Sequence, residues 1–151
     1  MAITTAMPTS FKVELFQGLH NFTASTGNDF KVALFVASVA GTYGAATTNY
    51  SNMTTDELGT AGGYTAGGYD ITAANNVTPL SSGTTAYTTP GVNPTWTSAT
   101  FSTSGCLMYN ATNGSRAAYV GSFGGTQTVT AGTFTVLMPA NAVSTALLRL
   151  A

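Results

Sequence analysis

The stretch that decides the fold is DFKVALFVAS, residues Asp29–Ser38. Side chains alternate between the two faces of a β-strand, so residues counted in twos from Phe30 share one face and those counted from Lys31 share the other. Apart from Lys31, both faces are apolar. Such a pattern is typical of a strand that is covered on both sides. We therefore predict a strand here that runs through the interior of the molecule.

Outward from this strand, the C-terminal third has the most regular pattern. The strands predicted there and before it are Tyr69–Thr72, Thr95–Ser102, Cys106–Thr112, Ser115–Phe123, Gln127–Thr130 and Thr133–Met138. Asn113-Gly114 predicts a hairpin turn, because both positions tolerate positive φ. Ala131-Gly132 predicts a second short turn between strands. The tail, Val143–Leu150, fits either a last strand or a docking segment.

The N-terminal region predicts a short helix preceded by an arm. Residues 1–9 contain no periodic pattern and are expected to be extended. A helix is predicted over Ser10–Gly18, with Ser10 as its cap, Phe11 and Leu15 on one face, and Gly18 just beyond its end. Two turns cannot be stable alone, so this helix must pack on something larger.

The remaining segments are predicted to be loops. They are the Thr/Asn/Ser-rich residues 41–58 and the proline-containing residues 79–94. The Gly-rich stretch Gly59–Gly68 lacks the Gly-Lys-Ser/Thr ending of a phosphate loop. It is better explained as a tight turn where backbone approaches backbone. Together these segments predict a mainly β fold: a single-domain antiparallel β-sandwich or distorted barrel over residues 10–151, with one short N-terminal helix and an extended N-terminal arm.

Charged residues are scarce, and this limits the possible functions. Lys and Arg number 4 and Asp and Glu number 5, so 6% of the 151 residues are charged, against about 25% in a typical soluble domain. Catalysis, metal binding and phosphate recognition need ionisable groups brought together. We therefore expect no enzyme, no cofactor and no metal site. The net charge of −1 gives no basic patch for nucleic acid, and no apolar run is long enough to cross a membrane.

Few ionisable residues remain as candidates for chemistry. The single histidine, His20, has only Glu14 nearby in sequence as a partner, and on a turn after the helix it is expected to bond a backbone carbonyl. Asp56 and Glu57 form the one adjacent acidic pair, and in a loop such a pair is usually solvated. Cys106 lies in a predicted strand beside apolar neighbours and is expected to be a buried, inert thiol.

A weakly charged surface has little self-repulsion and tends to associate. It belongs either to a stable, threonine-rich domain or to a chain whose surface is covered in an assembly, and we favour the assembly. Large apolar side chains in the arm, the helix and the loops are candidate interface residues: Ile3, Met7, Phe11, Phe16, Tyr64, Tyr69, Tyr87 and Trp96. The aromatic residues among them have three possible roles, namely capping the β core, anchoring an interface, or stacking on sugars.

Several segments of the chain resemble a family of small virion structural proteins of tailed bacteriophages. The segments that carry the resemblance are FKVELFQGLHNF (11–22), DFKVALFVAS (29–38), GYTAGGYD (63–70), TWTSATFST (95–103), CLMYNAT (106–112) and residues 120–139. The long Thr/Gly loop between Tyr69 and Thr95 departs from the family pattern. The resemblance implies a non-enzymatic component of the capsid or the tail.

From these observations we expect a capsid decoration (cement) protein. It would be made in the host bacterial cytoplasm and would form a homo-oligomer, which we expect to be a trimer. This oligomer would bind the capsid exterior between subunits of the major capsid protein. The arm is expected to lie across a neighbouring subunit. The alternative is a tail-associated receptor-binding or fibre module whose Trp and Tyr loops hold host surface glycans. A hydrolase would need a nucleophile and a base that the sequence does not provide.

Overall fold

The computed structural model describes residues 1–53 and 55–151, and they form a mainly β fold with two antiparallel sheets. The large sheet has the order β2-β1-β5-β6 and the small sheet the order β3-β4-β7. The elements are α1 (Thr9–Phe16), β1 (Phe30–Val36), β2 (Tyr69–Ile71), β3 (Leu80–Ser82), β4 (Thr85–Thr88), β5 (Thr95–Asn110), β6 (Arg116–Thr135) and β7 (Leu148–Leu150), with 3-10 turns at Tyr50–Met53 and Ala73–Asn75. The predicted fold class is confirmed. Across the described residues the two sheets are compatible with a sandwich and do not close into a barrel.

Strand β1 is covered on both faces, as its sequence predicts. Phe30, Val32 and Leu34 belong to one buried apolar cluster, together with Phe11 of α1 and Leu148 of β7. The opposite face of β1 contributes Ala33 and Phe35 to a second cluster, which is covered by side chains from the loop after β1, among them Tyr43 and Met53. The large sheet therefore has apolar packing on both sides. This explains why the sequence of β1 has no polar face.

Strands β5 and β6 form one long hairpin instead of the five separate strands that the pattern predicts. Asn113-Gly114 lies at its turn, as predicted, between the paired residues Asn110 and Arg116. The expected turn at Ala131-Gly132 is wrong. Ala131 has φ 47° and lies at a register shift within β6, so the strand bulges there and continues. A bulge adds a residue and a local bend without ending the pairing, which is why local sequence alone suggested a turn.

The small sheet lies in a region that was predicted to be a loop. Strands β3 and β4 form a hairpin through Gly83 and Thr84, and Gly83 has φ +58°. Pro79 and Pro90 flank these strands rather than interrupt them, so neither removes a hydrogen bond of the sheet. The tail supplies β7, which pairs with β4. The last-strand alternative for the tail is thus confirmed.

The helix is close to its prediction, but its cap differs. It begins at Thr9 with Pro8 in the N-cap position and no side-chain cap. Ser10 therefore lies inside the first turn, and its buried hydroxyl has no hydrogen-bond partner among the described residues. Gly18 follows the C-cap with φ +69°, as predicted. A proline fits the start of a helix because its fixed φ is close to the helical value and its missing N–H is not needed there.

The N-terminal arm packs on its own chain, whereas the sequence suggested that it would cross to a neighbour. The amide of Thr4 donates to the carbonyl of Tyr43 at 2.9 Å, and Ala6 and Val120 exchange two backbone hydrogen bonds, each of 2.9 Å. An extended segment can pair with whichever sheet edge it can reach. Here it reaches the edge of its own strand β6.

The Gly-rich stretch forms the close backbone approach that the sequence predicts. Gly62 and Gly68 have φ +57° and +84°. A Cβ atom on Gly62 would lie 2.1 Å from the carbonyl oxygen of Thr100, and one on Gly68 would lie 2.2 Å from that of Val32. The repeated Gly-Gly-Tyr therefore lets this loop lie directly against β5 and β1.

Candidate functional site

Helix α1 presents two apolar side chains to solvent, next to the exposed Lys12 and Gln17. Phe11 and Leu15 point inward and pack on the core, which leaves the residues on the other side of the helix outside. Phe16 is 95% exposed and Val13 is 52% exposed. They are three residues apart and so share one face of the helix. A large aromatic side chain this exposed, beside a second apolar one, is typical of a contact surface rather than of an isolated surface residue.

Beside this helix lies an apolar groove of about 470 Å³. One wall is formed by α1 and the segment after it, and the other by the small sheet. The described residues that line the groove include no Asp, Glu, Lys or Arg; they are Met7, Phe11, Leu15, Gly18, His20, Asn21, Phe22, Thr23, Pro79, Ala86, Tyr87, Thr88, Leu148 and Leu150. Leu150 is 44% exposed at this groove. The groove is therefore uncharged, whereas the exposed side of α1 also carries Lys12.

The structure separates the eight predicted interface residues into three groups. Phe16 is exposed, while Ile3, Met7, Tyr69 and Tyr87 are partly buried. Met7 and Tyr87 line the groove.

The other three predicted interface residues lie in the core, so their assignment to an interface is wrong. Phe11, Tyr64 and Trp96 are only 1%, 2% and 7% exposed. Trp96 packs edge-on against Tyr69 and Phe101, and the hydroxyl of Tyr64 accepts a hydrogen bond from the amide of Leu34. The rings of Tyr64 and Trp96 contact each other in the core beneath the Gly-rich loop, whereas Phe11 packs against His20 and Phe22.

Beneath α1 lies a buried ion-pair network that the sequence did not reveal. Glu14 Oε2 lies 2.7 Å from His20 Nε2, and Glu14 Oε1 accepts a hydrogen bond of 3.0 Å from Arg116. The side chains of His20 and Glu14 are 0% and 8% exposed, and that of Arg116 is 38% exposed. The expectation that His20 would bond a backbone carbonyl is wrong, because Glu14 is on the inner face of the helix and accepts a hydrogen bond from the ring instead. The network fastens α1 to the turn after it and to β6.

The contacts of the two ring nitrogens of His20 indicate where its ring proton lies. Asn110 Nδ2 lies 3.2 Å from His20 Nδ1, and an amide nitrogen can only donate. The two protons of Asn110 Nδ2 also point to Leu19 O and Asn28 Oδ1, but the carboxylate of Glu14 only accepts, so the ring proton is on Nε2 and is donated to Glu14. Burial lowers the pKa of His20 below its ordinary 6.5, although Glu14 acts in the opposite direction. His20 is thus held neutral, facing Glu14 and Arg116.

We expect the free energy of unfolding to decrease as the pH falls below 6.5. The pKa of His20 is lower in the folded chain than the ordinary 6.5 of the unfolded one. The stabilising contribution is therefore complete above pH 6.5 and is lost as the pH falls from there through the folded-state pKa. Urea unfolding at a series of pH values from about 8 to about 5.5 measures this slope. His20→Gln, which keeps an amide donor near Glu14, should flatten the profile; equal slopes in both proteins would contradict the assignment.

The two adjacent acidic residues are structural acceptors rather than solvated charges. Asp56 is 4% exposed and accepts hydrogen bonds from the amides of Ala40 and Gly41 and from the hydroxyl of Tyr43. Burial alone would raise the pKa of Asp56, but these hydrogen bonds outweigh it and lower the pKa. The prediction of a solvated pair is wrong, because the loop folds its donors around Asp56.

Glu57 has a similar role on the other side of this loop. It accepts from the hydroxyls of Tyr50 and Tyr64 and from the amide of Gly67. Burial, followed by the hydrogen bond to Glu57, raises the pKa of Tyr50 to about 12. The carboxylate therefore ties together two tyrosines and the Gly-rich turn.

The described residues offer little material for chemistry. Among them, no group of three or more His, Cys, Asp and Glu side chains could hold a metal ion. Cys106 is buried, as predicted, and burial raises the pKa of its thiol to about 12, so it is protonated and inert at neutral pH. None of the described helices has both the length and the apolar character to span a bilayer.

Comparison of the chain with protein-family models, with curated proteins and with solved structures found no match. Function must therefore be inferred from the chain's own surfaces.

Proposed function

We propose that this chain is a virion structural protein of a tailed bacteriophage, a capsid decoration (cement) protein that binds the exterior of the head. In this proposal it associates with itself, with a trimer as the expected unit, and contacts the major capsid protein. The resemblance in sequence supports the phage assignment. The observation that carries the decoration role is the exposed apolar face of α1, on which Phe16 is 95% exposed.

Because α1 is held in place, its exposed side is suited to form a contact. The Glu14 network and the burial of Phe11 hold the helix in place. Binding through Phe16 and Val13 therefore needs no further entropy cost for ordering the helix backbone. Burying a Phe side chain contributes about 1.5–3 kcal/mol. A contact of this size is weak alone, but it becomes strong when an oligomer makes it several times at once.

The charge distribution supports the same role. Two of the five acidic residues, Glu14 and Asp56, are buried, and Glu57 is partly buried. The surface therefore carries even less charge than the composition suggests, and its association is governed by apolar and hydrogen-bonding contacts. A surface of this kind suits permanent association better than free diffusion.

The burial of Trp96 and Tyr64 weakens the glycan-binding alternative. Sugar recognition by stacking needs an aromatic face that is open to solvent, and these rings are used in the core.

The number of copies per virion distinguishes a location on the head from one on the tail. Gel densitometry of virions from the encoding phage should give an amount comparable to that of the major capsid protein. A few copies per particle would indicate the tail, and absence from virions would contradict the proposal.

The capsid contact predicts a specific effect of Phe16→Ser. We expect the affinity for capsids assembled without the protein to fall at least about tenfold, which corresponds to about 1.4 kcal/mol. The melting temperature should not change, because Phe16 makes no core contact. Co-sedimentation with such capsids measures the effect. Leu137→Ser is the control, since Leu137 is 77% exposed and lies outside the helix; equal affinity of the Phe16→Ser and wild-type proteins would contradict the role of α1.

A further inference from the structure

The outer edge of β6 is covered by its own chain along only half of its length. Near the hairpin turn, Val120 is paired with Ala6 of the arm, and the amide of Ser122 donates to the hydroxyl of Thr5 at 3.0 Å. Beyond Ser122, the described residues show β6 paired with β5 on one side and with no strand on the other. The backbone of this second half therefore presents a free sheet edge.

This free edge lacks the usual protection against pairing. Edge strands commonly carry charged side chains or prolines that prevent another strand from adding to them. Between Arg116 and Arg149 the sequence contains no charged residue, and its first proline is Pro139, beyond β6. The edge strands β2 and β7, in contrast, carry Asp70 and Arg149.

A regular segment centred on Thr128 is available for pairing. Gln127, Thr128 and Val129 pair with β5 in unbroken register. Irregularities bound this segment, with positive φ at Gly124 and Gly125 on one side and at Ala131 on the other. The side chains of Gln127 and Thr128 are exposed. The segment is thus a short, flat and uncharged edge.

We propose that the β6 edge of one molecule pairs antiparallel with the β6 edge of a second copy, with Thr128 near the twofold axis. Antiparallel self-pairing about this axis places Thr128 opposite Thr128 and Gln127 opposite Val129, and none of these side chains is charged, so they do not repel each other. The other edge strands, β2, β3 and β7, are three residues long, whereas the free half of β6 extends from Phe123 to Thr135. A second β6 is therefore the matching edge that the chain itself supplies. The two hairpins would join into a four-stranded sheet with twofold symmetry.

This inference goes beyond the proposed function and does not depend on it. A twofold contact gives an even number of subunits: a dimer, or a hexamer if the expected trimer also forms. Capsid binding by a variant that has lost the edge contact would leave the decoration role intact. Loss of the decoration role would leave the edge contact intact.

The test is sedimentation equilibrium of wild type, Thr128→Lys, Thr128→Glu and an equimolar mixture of the two variants. We expect even-numbered species for wild type and self-association at least about tenfold weaker for each variant, because like charges then face each other across the axis. The mixture should recover association, which a merely structural defect would not allow. Thr97→Lys is the matched control, since Thr97 is an exposed threonine on β5.

A wild-type monomer at all concentrations, or odd-numbered species alone, would overturn the proposal. Unchanged association of Thr128→Lys would also overturn it. If the variants fail to fold, hydrogen exchange on wild type gives an independent readout. Amide protection at residues 126–130 should rise with protein concentration, and protection that does not depend on concentration would overturn the contact.

Discussion

Replacing Glu14 with alanine is expected to lower the free energy of unfolding by about 3 kcal/mol. Breaking a buried ion pair by removing one partner costs about 3–5 kcal/mol, because the other charge is left unpaired. Here Glu14 accepts from both His20 and Arg116. The expected loss of about 3 kcal/mol lies at the lower end of this range, because Arg116 is 38% exposed and can turn partly toward water. Urea unfolding followed by the fluorescence of Trp96 measures the change.

The surface pair Lys31–Asp70 provides the matched control. Its N–O distance is also 3.0 Å, but Asp70 is 63% exposed. Exposed ion pairs contribute about 0–1 kcal/mol, so Asp70→Ala should cost far less than Glu14→Ala. Equal costs would mean that burial does not strengthen the Glu14 network. The claim that this network fixes α1 would then fail.

The sequence predicted elements whose signal is local. The two-sided burial of β1 follows from its apolar residues, and the β5–β6 hairpin follows from Asn113-Gly114, because each pattern is complete within a few residues. The Gly-rich approach to β1 and β5 was predictable for the same reason. Strands β3 and β4 were missed because the prolines of residues 79–94 predicted a loop, whereas Pro79 and Pro90 lie outside both strands.

The contacts that the sequence missed join residues far apart in the chain. Arg116 lies 102 residues from Glu14, and no local pattern could pair them. Asp56 and Glu57 seemed solvated because acidic loop residues usually are. A signal was nevertheless present: the tyrosines nearby at 43, 50 and 64 need acceptors when they are buried, and these two carboxylates lie between Tyr50 and Tyr64 in the sequence.

Four of the nine charged residues of this chain therefore have internal roles. Glu14, Asp56, Glu57 and Arg116 hold a helix, a loop and a turn in place through hydrogen bonds to buried or partly buried groups. Because these residues are used inside, little charge remains on the surface of α1, where Lys12 is exposed, and none on the edge of β6 beyond Ser122. One cause, the internal use of charge, thus connects the stability of the fold with its tendency to associate.

Replacing Gly68 with alanine is expected to cost about 2–5 kcal/mol, the sum of two effects. Its φ of +84° disfavours any residue with a Cβ, which costs about 1–2 kcal/mol in the left-handed region. The new Cβ would also lie 2.2 Å from the carbonyl oxygen and 2.5 Å from the carbonyl carbon of Val32. Both are backbone atoms of a buried strand, so relieving the contact must move β1 or the loop, at a further cost of about 1–3 kcal/mol.

Two other glycines separate these effects. Gly83 also has positive φ, +58°, but a Cβ there would meet nothing within 4 Å, so Gly83→Ala should show the conformational cost alone. Gly59 also has open space around it and lacks the positive φ, so Gly59→Ala should be neutral or slightly stabilising, by up to about 1 kcal/mol. Urea unfolding of the three variants gives the order directly. If Gly68→Ala costs no more than Gly83→Ala, the loop does not press on β1, and the close approach does not hold the Gly-rich turn against the sheet.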